Sequence, residues 1–237
     1  MTSGFAAVSP HLDDLALSCA GLLAAHPASA MVTAFAGGPS SVDPVTAWEG
    51  LSGIFGPGAD IVGTRRSEDV LASVELDAIF HHLDHWDHQY RNATYGFRGA
   101  TERSALIRAV ALDLESLVAA SGSSTWAVPL GLAHPDHEVT AAACLEVAGN
   151  HPEIDWLVYE ELPYAVYLPG TVLEAEVRLR ARGFELQPAE GVEVSVDVSS
   201  KRRAVSCYRS QLQPLGEAIG VALDTPERLH RLTRSRS

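Results

Sequence analysis

Residues 4–21, GFAAVSPHLDDLALSCAG, change their pattern at one point, and the fold is read from that change. Up to Pro10 the run is short and apolar, as suits a buried strand. Beyond His11 the apolar residues Leu15, Leu17, Cys19, Leu22 and Leu23 fall at helical spacing, with Asp13 and Asp14 in the first turn. Acidic groups are favoured there by the partial positive charge of a helix N-terminus. The same order of events recurs over residues 125–147, TWAVPLGLAHPDHEVTAAACLEV. A strand, TWAVPLG, is followed by His134-Pro135 and then by a helix predicted from Asp136 through Val147.

Outward from these two passages, AMVTAFAGG (30–38) and WLVYEEL (156–162) read as further strands. Helices are predicted from Thr64 to about Phe80, on Val70, Leu71, Val74, Leu76 and Ile79, and from Glu102 to Ala120. Residues 39–63 are rich in Gly, Pro, Ser and Asp and read as a long loop, of the kind that covers or lines a binding site. Strands alternating with helices imply parallel strands and crossover helices, a doubly wound α/β fold with a mostly parallel sheet flanked by helices. After Pro169 the pattern changes. VRLRARGFELQPAEGVEVSVDV (177–198) alternates and turns, predicting peripheral antiparallel strands near the C-terminus, and Lys201 to Leu212 returns to helix. With no internal repeat and no composition break, residues 1–237 read as a single domain.

The chain is 46% hydrophobic and 20% charged, the composition of an ordinary soluble globular protein. No apolar run is long enough to span a bilayer. The opening MTSGFAAVSPHLDD has neither a basic region nor a cleavable apolar stretch, so a cytoplasmic location is expected. The formal net charge of −13 would repel a phosphate backbone, which argues against a nucleic-acid partner. A small-molecule partner is expected, and a homo-oligomer is left open. Arg228, Arg231, Arg234 and Arg236 run against the overall charge and read as a frayed, solvated end. Three cysteines without a C-x-x-C pair argue against a disulfide framework and a thiolate zinc site, and Cys19 and Cys144 read as buried free thiols.

Folds of this type place their sites beyond the carboxyl ends of the strands. His11 and His134 each follow a predicted strand and precede a predicted helix, so two histidine–carboxylate clusters should meet at one sheet edge. Imidazole nitrogen and carboxylate oxygen are ordinary zinc ligands, and a catalytic zinc takes three protein ligands with one position left for water. His11, Asp14 and His137 supply one such set. Asp13 is then a carboxylate beside the metal that does not ligate it and can take a proton from water. His134 is a second acid–base or electrostatic group, with Asp136 to orient it.

SPHLDDLALSCAG (9–21) resembles the first signature of the PIG-L (LmbE-like) deacetylases, usually His-Pro-Asp-Asp-Glu after the first strand. GLAHPDHEVTAAA (131–143) resembles their second, His-x-x-His at a helix start. Weaker similarity lies in VTAFAGG, in Arg65-Arg66-Ser67-Glu68 and in YEELPYA, so the resemblance runs from the first strand to about Tyr167. It implies a Rossmann-like fold and zinc bound by His11, Asp14 and His137. It implies Asp13 as general base and later acid, His134 as the oxyanion-stabilising group and Asp136 as its tuning partner. It also places Arg65, Arg66 and Asp87 where relatives contact substrate. Leu12 and Leu15 replace the usual proline and glutamate of the first signature. Leu132 stands where some members carry a tyrosine that assists the oxyanion, a role then open only to Tyr90 or Tyr164.

The chemistry so implied is metal-assisted hydrolysis of an N-acyl group, most simply N-acetyl, on an amino sugar or its conjugate. Zinc lowers the pKa of its water from about 15.7 to about 7, and Fe2+ or Co2+ suits the same ligands. The alternatives are an amidase for a non-sugar natural product or thiol conjugate, and a metal-binding module of the same fold without turnover. The run His81 to His88 is a rival metal site on composition alone, and its dense alternation fits a surface or loop-lining role better. Trp48, Phe55, Trp86 and Tyr90 could stack on a sugar, or pack in the core.

Overall fold

The apolar run that ends at Ser9 becomes β1 (Phe5–Ser9), a strand buried at every residue in the middle of a sheet. The computed structural model describes residues 4–42, 45–95 and 100–235. After β1 come α1 (Asp14–Ser18), α2 (Ala20–Ala25), β2 (Ala30–Thr33), α3 (Ala47–Gly50) and α4 (Ile61–Glu75). They are followed by β3 (Ile79–His82), α5 (His88–Tyr95), α6 (Ala100–Ser121), β4 (Thr125–Pro129), α7 (Pro135–Asn150) and β5 (Asp155–Tyr159). The remainder holds α8 (Tyr164–Tyr167), α9 (Gly170–Arg180), β6 (Phe184–Pro188), α10 (Val198–Cys207), α11 (Arg209–Leu215), α12 (Glu217–Asp224) and β7 (Leu229–Arg234).

The seven strands lie in the order β3-β2-β1-β4-β5-β7-β6. The first five are parallel, and β7 is antiparallel to both β5 and β6. This is the predicted α/β architecture: a mostly parallel sheet flanked by helices, with antiparallel strands contributed from the C-terminal region. The chain winds outward from β1 on one side and from β4 on the other, so the strand order reverses between them. A crevice at such a switch point is where open α/β sheets bind ligands. Tyr159, fully buried on β5, donates its hydroxyl to the Val8 carbonyl at 2.8 Å. Cys19 and Cys144 are buried free thiols. Among the described residues no helix is long and apolar enough to cross a membrane.

Several predicted elements differ. The first helix is interrupted at Cys19, which leaves helical geometry and separates α1 from α2. The helix predicted from Thr64 begins earlier, at Ile61, because Asp60 caps it by accepting the Gly63 N–H at 2.9 Å. It also stops earlier, since Asp77 turns to φ 50°, and Ile79 and Phe80 belong to the edge strand β3. The alternating stretch 177–198 holds one strand only. Its start continues α9, where Ala175 and Leu179 are buried one helical turn apart.

The strand that pairs with β6 is the C-terminal β7, inserted between β5 and β6, so the arginine-rich tail is not a frayed end. Arg231 donates to Asp155 at 3.1 Å, Arg228 pairs with Glu160 at 3.4 Å, and Arg234 donates to the Gly149 carbonyl and lies over the Phe184 ring. Arg236 lies outside the described residues. Leu232 is the buried side chain of β7, and a carboxylate there would lose its hydration. Leu232→Asp is expected to cost about 4 kcal/mol, a fall of about 8–16 °C in Tm for a chain of this size, read by circular dichroism melting.

Candidate active site

Both signature turns hold a non-glycine residue at positive φ. Asp13 is held at φ 155° directly after the His11-Leu12 step, and Ala133 at φ 58° directly before His134. Non-glycine residues at positive φ cost of order 1–3 kcal/mol and persist where surrounding structure forces them. At the first turn Ser9 supplies that force, donating its hydroxyl to the His11 carbonyl at 2.6 Å and accepting the Leu15 N–H. At the second, His134 is the N-cap of α7, with Pro135 in the first turn, and its Nδ1 accepts the Asp136 N–H at 3.2 Å.

The two turns bring their side chains together around one carboxylate oxygen. Asp14 Oδ2 accepts the His11 N–H at 2.8 Å and lies 3.4 Å from His11 Nδ1 and 3.2 Å from His137 Nε2. His137 is fully buried, and its Nε2 has no hydrogen-bond partner. Its other nitrogen, Nδ1, lies 3.2 Å from Glu161 Oε1. The His11 ring is held from behind, Nε2 lying 3.1 Å from Asp136 Oδ2. Asp136 Oδ2 also accepts the His88 N–H at 2.8 Å, and Oδ1 takes the Arg91 guanidinium. The Asp136 carboxylate therefore hydrogen-bonds to His11, while the Asp136 backbone N–H bonds to His134 and its charge acts on that ring from nearby.

The chemistry of this donor set suits a divalent ion. A buried imidazole nitrogen without a hydrogen bond, aimed at a carboxylate and fixed through its opposite nitrogen by a second carboxylate, is the arrangement of a metal-ligating histidine. Ring nitrogens of His11, His134 and His137 lie within 4.8 Å of one another, as do ligand atoms of His11, Asp87 and Asp136. In the latter group the oxygens are already taken, Asp136 by Arg91 and Asp87 by Arg65 at 3.2 Å.

Electrostatics separate the two adjacent aspartates. Burial would raise Asp14, but His137 and His11 outweigh it and hold the carboxyl far below the usual range. Asp13 has no such partner: burial and the neighbouring Asp14 push it up to about 7, against the pull of Arg65 and His11. Burial would lower His11, but Asp87, Asp136 and Asp14 raise it, and His137 is raised to about 9 by Asp14 and Glu161 in the same way. His134 goes the other way, down to about 3, through burial and the nearby His11 and His137. It is a neutral ring. Since Nδ1 accepts a backbone N–H, its proton is assigned to Nε2.

These groups open into a cavity of ≈ 230 Å³. His11, Asp13, Asp14 and His134 form its polar part; Leu17, Leu162, Pro163 and Leu215 form an apolar wall. Arg65 and Asp87 line it, and Asp87 also accepts the Gln89 N–H at 3.0 Å. The structure does not bring Arg66 there: its Nε donates to the Ala36 carbonyl at 2.8 Å and its guanidinium pairs with Asp84. Of the run 81–88, His82 pairs with Asp69 at 2.8 Å and His85 with Asp113 at 2.9 Å, while Asp87 and His88 line the cavity. Leu132 is fully buried. Tyr90 gives its hydroxyl to Glu49, whereas Tyr164 lines the cavity with its ring edge-on to His137, centroids 5.2 Å apart.

Sequence reasoning missed Glu161. It is fully buried and accepts the backbone N–H groups of Leu130, Gly131 and Leu132, at 3.1, 2.8 and 2.9 Å, besides facing His137. One carboxylate thus shapes the loop after β4 and orients a candidate ligand. The signal available was its place directly after a buried strand, where a charge is costly without partners. Arg91 was missed as well, and no pattern around it pointed to Asp136.

No family model matches the chain. It is 32% identical over 220 residues to the 2'-N-acetylparomamine deacetylase of Streptomyces fradiae, covering 86% of this chain and 72% of that protein. The zinc-inhibited form of teicoplanin deacetylase superposes with a TM-score of 0.83 at 28% identity, covering 98% of this chain and 99% of that one. The A40926 pseudoaglycone deacetylase superposes with a TM-score of 0.74 at 26% identity, covering 100% and 99%. With that sequence identity, that coverage and the two signature turns in place, the chain belongs to the deacetylase family of the LmbE (PIG-L) fold.

Proposed function

We propose that the protein hydrolyses an N-acetyl group from an amino sugar or amino-sugar conjugate, using a zinc ion held by His11, Asp14 and His137. One observation carries the reading: Asp14 Oδ2 sits between the two imidazoles, and His137 Nε2 is buried without a hydrogen bond. The similarity to the 2'-N-acetylparomamine deacetylase supports the substrate class. Fe2+ and Co2+ suit the same donors. When bound, the ion acidifies water and polarises the acyl carbonyl.

The remaining work belongs to the side chains. Asp13 faces the cavity with a carboxyl pushed up to about 7, so it holds a proton weakly enough to give it up and strongly enough to take one. It removes the proton of the attacking water and returns it to the departing nitrogen. Without that return the amine leaves poorly. Neutral His134 donates from Nε2 to the carbonyl oxygen as negative charge gathers there, and a positioned donor of this kind contributes about 3 kcal/mol. Asp136 fixes the His11 ring, and Asp136 N–H fixes the tautomer of His134. Arg65 and Asp87 offer hydrogen bonds to substrate hydroxyls from the cavity wall.

Metal analysis with amine release from a panel of N-acetyl amino sugars tests this. About one zinc per chain is expected, falling to a small fraction in His137→Ala. His134→Ala is expected to keep its metal and lose about 10²–10³ in kcat. Full zinc occupancy in His137→Ala would sink the ligand assignment. Zinc loss in His134→Ala would favour the three-histidine set instead.

A further inference from the structure

One wall of the cavity is not used by the chemistry above. Trp48, on α3, lines the cavity yet is 39% exposed. Exposure of one apolar side chain means little by itself; the way this ring is held means more. Its Nε1–H donates to Gln211 Oε1 at 2.9 Å. Gln211, 1% exposed, also lines the cavity and donates from Nε2 to Ser210 Oγ at 2.9 Å. The Ser210 hydroxyl donates to Glu68 Oε2 at 2.6 Å, and its backbone N–H to Oε1 at 2.8 Å. The next residue of α3, Glu49, is fully buried and accepts the hydroxyls of Tyr90 and Thr46. A solvent-facing indole is therefore anchored through a buried relay to α4, and its helix is pinned independently one residue away.

Resting on the deacetylase reading, we propose that Trp48 is the stacking platform for the pyranose ring of the acylated amino sugar, and that Gln211 is the positioning residue that fixes the plane of its indole. A pyranose carries its hydroxyls around the edge and C–H groups on its faces, so one face matches an indole while the edge remains for polar partners. A tryptophan whose polar end is satisfied by protein presents its apolar body to such a face. Because the ring is already immobilised, little side-chain entropy is lost on binding. Trp48 shares its cavity with Asp13, His134 and the Arg65–Asp87 pair, so a sugar stacked on the indole keeps its acylamino group among the reacting groups. The catalytic constellation reads an amide; Trp48 reads the ring that carries it.

The test is steady-state amine release from N-acetylglucosamine by the zinc-loaded protein. Trp48→Ala is expected to raise KM by about tenfold with kcat kept within about threefold. Trp48→Phe keeps an aromatic face but has no N–H for Gln211, and its KM is expected to fall between the two. Gln211→Leu, with its fold checked by circular dichroism, is expected to give the Trp48→Phe value. A KM in Trp48→Ala within about twofold of wild type overturns the platform and leaves the deacetylase reading standing. A folded Gln211→Leu with wild-type KM overturns the positioning role. Should wild type release no amine from any N-acetyl amino sugar, the deacetylase reading fails, and tryptophan fluorescence decides the platform separately. Quenching by N-acetylglucosamine that disappears in Trp48→Phe supports it; quenching equal in both, or absent from wild type, overturns it.

Discussion

Asp13→Asn is expected to lower kcat by two to four orders of magnitude, about the range supplied by a positioned general base, while the purified protein keeps its metal. The side chain lines the cavity, and its carboxylate accepts no hydrogen bond among the described residues. Removing its charge therefore breaks no local network. Asn occupies positive-φ backbone about as readily as Asp, so the strained turn is tolerated. Asp14, one residue on, is the contrasting case: it is tied to both His11 and His137, and its replacement should remove metal and activity together. Stopped amine release with unchanged zinc content in Asp13→Asn is the expected pair of readings. Retained turnover would move the base to another group, and loss of zinc would make Asp13 a ligand.

Glu161→Ala is expected to lose a large part of the protein's stability. The carboxylate accepts three backbone N–H groups and faces His137 Nδ1, all at buried positions. Leu130 N–H keeps the Tyr159 carbonyl at 3.0 Å, so the donors left without a partner are those of Gly131 and Leu132, at about 1–3 kcal/mol each, a large share of the net stability of about 5–15 kcal/mol typical of a domain. Glu161→Gln retains one carbonyl oxygen for these donors and should fold. It loses the charge that orients His137, and metal affinity is expected to fall by about 10–100-fold, as when other outer partners of a ligating histidine are changed. Thermal melts with and without a chelator, together with a zinc titration, separate the two effects. Wild-type zinc affinity in Glu161→Gln would show that His137 is oriented by its packing alone.

The contrast between these residues shows what was legible in the sequence. His11, Asp13, Asp14, His134 and His137 follow the ends of β1 and β4 closely, His137 at the greatest separation in the first turn of α7, where an apolar run meets an acid-rich helix start. Local pattern and local chemistry coincide there, and the paired turns could be read directly. Glu161 acts on residues 24 to 31 positions away, and Arg91 on Asp136 across 45; neither relation leaves a periodic trace. Ile79 and Phe80 continued the apolar spacing of α4, so only the turn at Asp77 could have separated helix from edge strand. The arginines of β7 were misread for a related reason. Their partners, Asp155, Glu160 and the Gly149 carbonyl, are brought close only once the sheet exists, and charge alone looked like solvated tail.

The position of that last strand also sets an order on synthesis. β5 waits for a neighbour that lies about seventy residues further along, since Leu157 registers with Arg231 and Val158 with His230. β6 likewise has no partner until β7 arrives between them. While the ribosome is still translating residues beyond Pro188, the nascent chain holds two unpaired strand edges, the kind of surface that recruits other chains. Both edges are satisfied together only once residues 229–234 are available to pair. A premature stop a few codons upstream would yield a polypeptide with every proposed catalytic residue present and an open sheet, a substrate for chaperones and proteases rather than a weaker enzyme.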